Sequence, residues 1–112
     1  MKSLVILMIE KEQPEGLSAR KLVIETVKHN VLTAYNVETG FDLLRRFPNI
    51  DAVLVHGSLL KDHKELLREV RALAPNVPII LATPWDQRSD EADYVIDSHH
   101  PPELLKLFDD KW

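Results

Sequence analysis

The chain has 112 residues, of which 45% are apolar and 29% charged, with a formal net charge of −4. That length suits one domain spanning residues 1–112 around one layered core, and the composition is that of an ordinary globule. The acidic balance gives no electrostatic footprint for nucleic acid, and the lack of cysteine excludes disulfides, thiolate zinc sites and thiol catalysis.

Leu4-Val5-Ile6-Leu7-Met8-Ile9 is continuously apolar, as expected of a central parallel strand buried on both faces. It is too short for a signal-peptide core, and nothing in the chain approaches the roughly 20 apolar residues of a membrane span. A cytoplasmic location without membrane contact is expected. Residues from about Pro14 to His29 read as a first helix, with Leu22, Val23 and Val27 on one face and Asn30 as its stop.

Val31 to Tyr35 is a shorter, alternating strand, which predicts an edge position. A second helix is expected from about Val37 to Phe47, ended by Pro48. Asp51-Ala52-Val53-Leu54-Val55 is the third strand and stops at His56. The third helix runs from about Asp62 to Leu73, with Leu66, Leu67, Val70 and Leu73 as its apolar stripe. Pro78 to Ala82 is the fourth strand, with proline at its first position, where a missing donor matters least. Pro84 to Ala92 leaves room for only a shortened fourth helix. Ala92 to Ile96 is the fifth strand, and Pro101-Pro102 opens a last helix through Asp109.

Strictly alternating strands and helices imply an α/β fold with a parallel sheet and helices on both faces. In open sheets of this kind, sites form beyond the carboxyl ends of the strands. The residues to question are therefore Glu10, Lys11, His56, Thr83, Asp97 and their neighbours.

The order of elements and these end residues resemble the receiver domain of bacterial response regulators, a flavodoxin-like, doubly wound, five-stranded fold. The resemblance covers the whole chain as a pattern and includes no intact motif. It implies two acidic magnesium ligands after the first strand, where Glu10 and Lys11 stand. It implies a phosphate-accepting aspartate after the third strand, where His56 stands, and a hydroxyl residue after the fourth, matched by Thr83. It implies an aromatic residue and then lysine-proline on the fifth strand; Tyr94 is kept, but Asp97-Ser98 replaces the pair.

Aspartyl phosphorylation needs a carboxylate nucleophile, a divalent cation and positive charge around the phosphoryl oxygens. Magnesium prefers oxygen ligands. Imidazole at 56, lysine at 11 and aspartate at 97 all run against that chemistry. The expected protein is a degenerate receiver, a pseudo-receiver without catalytic residues or cofactor. It would act as a phosphorylation-independent signalling adaptor through a protein partner or self-association.

In this reading, Glu10, His56, Asp97 and His99 converge as a hydrogen-bonded cluster, with a charged His56 replacing the ion. The alternative is a small-molecule or metal-binding sensor in the same pocket, since imidazole and carboxylate suit zinc, copper or nickel. A third route to phosphorylation would use Asp51 or Asp62, out of register with the apolar pattern. Tyr94 and Trp85 are the expected interaction face, because aromatic residues are enriched at interface hot spots. Trp112 is expected to pack back on the last helix.

Overall fold

The computed structural model describes residues 4–10, 29–83, 90–97 and 102–112. Five strands, β1 (Val5–Ile9), β2 (Asn30–Ala34), β3 (Ala52–His56), β4 (Ile79–Thr83) and β5 (Tyr94–Asp97), form one sheet of order β2-β1-β3-β4-β5. Every pairing is parallel. The helices among the described residues are α1 (Val37–Arg46), α2 (Leu66–Leu73) and α3 (Glu103–Lys111). This is the expected doubly wound α/β architecture. The expected first helix and residues 84–89 of the shortened fourth lie outside the described residues.

Continuous apolar strands belong in the middle of such a sheet, because both of their faces are covered. In β1, Ile6 to Ile9 are all buried, as are Ala52 to Val55 in β3 and the whole of β4. Alternation then sorts their side chains into two cores. Leu7, Ile9, Val53, Val55, Ile79 and Leu81 meet Val37 and Leu44 of α1 and Leu66, Leu67 and Val70 of α2. Ile6, Met8, Leu54, Ile80, Ala82 and Ile96 meet Leu104 and Phe108 of α3. β2 lies at the edge, as its alternating pattern predicts.

α1 starts at Asn36, whose side chain accepts a 2.8 Å bond from the Thr39 amide, so one otherwise unsatisfied helix donor is paired. Glu38 in the first turn and Arg45 and Arg46 in the last oppose the helix dipole. Gly40 lets this helix lie close on the sheet: an added Cβ would stand 2.7 Å from Ile9 Cδ1.

Two local expectations are corrected. Asn30 does not close a helix; it opens β2, and its amide donates to the Leu4 carbonyl at 2.8 Å. The helix expected from about Asp62 to Leu73 starts only at Leu66, and a separate 3-10 helix at Gly57–Lys61 precedes it. The polar run Lys61-Asp62-His63-Lys64-Glu65 has no apolar face to bury, which fits a break there.

The amino ends of the strands are stitched by side chains. Asp51 donates its amide to the Val5 carbonyl at 2.7 Å and accepts the Val5 amide on Oδ2 at 2.8 Å. Asp93 repeats the device on β4, with 2.9 Å to the Ile79 carbonyl and 2.7 Å from the Ile79 amide. Arg71 holds the same Asp93 oxygen at 2.6 Å. Replacing Asp93 by Ala leaves the Ile79 amide and Arg71 without that acceptor. It should cost about 1–3 kcal/mol, read as a lower urea midpoint at unchanged slope.

His29 serves the same end of the sheet from the other core. It is 4% exposed, its ring stands edge-on to Phe108 at 5.2 Å, and its Nδ1 accepts the Leu4 amide at 3.0 Å. That bond requires an unprotonated Nδ1, and Nε2 is buried with no hydrogen-bond partner among the described residues. Burial lowers its pKa from the ordinary 6.5, while the Asp109 and Asp51 carboxylates partly oppose the shift. A depressed folded pKa means that the unfolded chain binds the proton more readily. The stabilisation is complete above about 6.5 and is lost as pH falls toward and through the folded pKa. An NMR titration should place His29 below 6.5, and the urea midpoint should fall more on acidification for wild type than for His29→Gln.

Candidate functional site

The register brings the questioned residues to one end of the sheet. Ile9 pairs with Val55 and His56 with Ala82, so Glu10 and His56 stand level on adjacent strands. Thr83 pairs with Asp97 on β4 and β5. Strand alternation divides the four. Glu10 and His56 continue the face of Met8 and Leu54, whereas Thr83 and Asp97 continue the face of Leu81 and Val95.

Glu10 is buried at 2% exposure and its amide extends the pairing of β1 with β2, donating to the Ala34 carbonyl at 3.0 Å. His56 is half-buried and caps the 3-10 helix that follows it. Its Nδ1 accepts the Ser58 amide at 3.2 Å and lies 2.7 Å from Ser58 Oγ. An amide only donates, so Nδ1 carries no proton in this arrangement. The ring of His56 is thus engaged as the cap of the turn that follows β3.

Thr83 ends β4 at 1% exposure. Gly57 lies directly against it: an added Cβ would be 2.5 Å from Thr83 Oγ1, 2.8 Å from Thr83 Cβ and 3.3 Å from the Ala82 carbonyl. The residue after His56 is therefore a glycine for steric reasons, a requirement that the sequence pattern did not reveal. Asp97 ends β5, and its amide donates to Glu103 Oε2 in α3 at 3.1 Å.

Among the described residues, no group of three His, Asp or Glu is placed to hold a metal ion. Lys11, Trp85 and His99 lie outside the described residues. Asp51 sits at the amino end of the sheet, bonded to Val5, at the pole opposite His56. Asp62 caps the 3-10 helix at its carboxyl end and is exposed.

Tyr94 is half-buried and packs on Trp112, ring centres 5.6 Å apart. Trp112 folds back as expected, edge-on to Phe108 at 5.4 Å, and its indole Nε1 donates to the Asp51 carbonyl at 3.3 Å.

No family model and no curated protein matches the sequence. Solved structures do match. A CheY-like response regulator receiver domain from Methanospirillum hungatei JF-1 is 22% identical, with a TM-score of 0.77 over 98% of this chain and 94% of that one. The response regulator TrrA from Thermotoga maritima, solved with Mg2+ and BeF, is 28% identical at a TM-score of 0.69, covering 96% and 97%. The R. sphaeroides complex of CheY6 with the phosphorylated P1 domain of CheA3 matches at 18% identity and a TM-score of 0.67, covering 96% and 94%.

The chain has the fold of a response-regulator receiver domain.

In this receiver fold, the strand order and the position of His56 at the end of β3 agree with the pattern read from the sequence. Gly57 gives that end of the site a direct test. Gly57→Ala should destabilise the domain by about 1–3 kcal/mol, because a strand backbone and a buried threonine must shift to admit one methyl. A thermal melt checks it, and an unchanged midpoint would contradict the packing of Gly57 on Thr83.

Proposed function

We propose that this chain is a receiver-like adaptor in bacterial signal transduction that works without phosphorylation, through contacts with other proteins. The observation that carries the proposal is His56, at the end of β3, with its Nδ1 committed to Ser58. An imidazole is a poor magnesium ligand, and this one is already used in holding the turn. The structural neighbour TrrA was solved with Mg2+ and BeF. Here Lys11 stands where the resemblance implies a second acidic residue, and Asp97 stands where it implies a lysine. A lysine repels the magnesium ion that the chemistry needs, and an aspartate places negative charge where the phosphoryl oxygens need positive.

The proposed output is a protein interface and not a reaction. The R. sphaeroides neighbour was solved bound to a second protein, the phosphorylated P1 domain of CheA3, which supports a protein partner for this chain. No helix among the described residues is long and apolar enough to cross a membrane. We place the adaptor in the cytoplasm with its signalling partners.

Incubation with acetyl phosphate and Mg2+ should leave the intact mass unchanged, both in wild type and in His56→Ala. A stoichiometric phosphoryl adduct on either protein would overturn the proposal.

A further inference from the structure

The carboxyl-terminal turn of α3 is tied to the sheet through a chain of four rings. His29, just ahead of β2, stands edge-on to Phe108, Phe108 edge-on to Trp112, and Trp112 tilts against Tyr94 of β5, with ring centres 5.2, 5.4 and 5.6 Å apart. The Trp112 indole also donates to the Asp51 carbonyl at 3.3 Å. The other end of α3 is held separately, by Leu104 in the core and by Glu103, which accepts the Asp97 amide. Two different attachments therefore secure the two ends of one short helix.

His29 is the ring in this chain that can change charge near neutral pH. Its Nδ1 accepts the Leu4 amide, so the proton of the neutral ring sits on Nε2, which is buried without a hydrogen-bond partner among the described residues. The docked ring thus carries an unsatisfied donor, which narrows its advantage over a state in which the ring turns. A second proton can go only to Nδ1. It would aim an N–H at the Leu4 N–H across 3.0 Å, and two donors cannot share that contact. The ring must then rotate, and Phe108 lies against it. The charged groups that face His29 among the described residues are Asp109 of α3 and Asp51 ahead of β3. Both favour the imidazolium, so the rotated ring has partners that the docked ring does not use.

We propose that His29 is an acid-operated latch: on taking up a proton it releases the turn from Phe108 to Trp112 and uncovers Tyr94, while the sheet stays paired. Release withdraws Phe108 and Trp112 from the core under α3. Ile6, Met8, Leu54, Ile80 and Leu104 remain packed on one another there, so the opening stays local. A partner that reads Tyr94 would find it covered by Trp112 at neutral pH and open in acid. The latch does not depend on the adaptor reading, and the phosphodonor experiment involves neither His29 nor α3.

The test follows Trp112 fluorescence in the full chain carrying Trp85→Phe, which removes the other of the two tryptophans. Between about pH 8 and 5, the emission should move to the red and acrylamide should quench it more strongly, with far-UV circular dichroism unchanged. His29→Gln keeps an acceptor for the Leu4 amide but cannot titrate, so its emission should stay constant over that range. Asp109→Asn, which removes a facing carboxylate, should move the transition to lower pH. The inference is overturned by any of three results: no red shift before the circular dichroism collapses, a shift of equal size in His29→Gln, or an unchanged transition in Asp109→Asn.

Discussion

The parallel registration of β1, β3 and β4 is the constraint on which the other features depend. Each of these strands is buried on both faces, so a slip of one residue would exchange the two cores entirely. Parallel pairing also sends every connection through a helix or loop on one face, and it gathers the strand ends at two poles. One pole receives chain entering the sheet and the other receives chain leaving it. The two poles have been built with different chemistry.

Entry is governed by stitching. Asp51, Asp93 and His29 each supply a side-chain acceptor to the first amide of a neighbouring strand or the residue before it. A backbone amide at a sheet margin would otherwise be half-desolvated without a partner. Because these acceptors lie in the connections, each loop reads the position of the strand beside it and helps to fix the register. Exit is governed by close packing. Gly57 rests on Thr83, and Glu10 is buried beside the end of β3. The exit pole therefore combines tight steric tolerance with polar groups, and the entry pole leaves an apolar cleft between α1 and α2.

Much of this was legible in the sequence because it depends on periodicity. Continuous apolar runs marked β1, β3 and β4 as interior strands, and the alternating Val31 to Tyr35 run marked β2 as an edge. Trp112 was readable as a residue folding back on its helix. Side-chain partnerships were not readable, since they depend on what lies opposite in space. The sequence placed His56 among carboxylates and made it a charged substitute for an ion. The cap that the ring places on the Ser58 amide, two residues on, was not readable. The steric role of Gly57 and the cleft between α1 and α2 were hidden for the same reason: both arise where distant segments meet.

The cap formed by His56 has a consequence for substitution at this position. What the turn requires at this position is a short side chain that accepts the Ser58 amide, and aspartate and asparagine are among the best residues for that task. An aspartate there would close the same turn against the same glycine. The local fold thus treats imidazole and carboxylate as interchangeable, although their chemistry toward a phosphoryl donor is opposite. Exchange of imidazole for carboxylate at this position would leave the turn, and the sheet that holds it, in place.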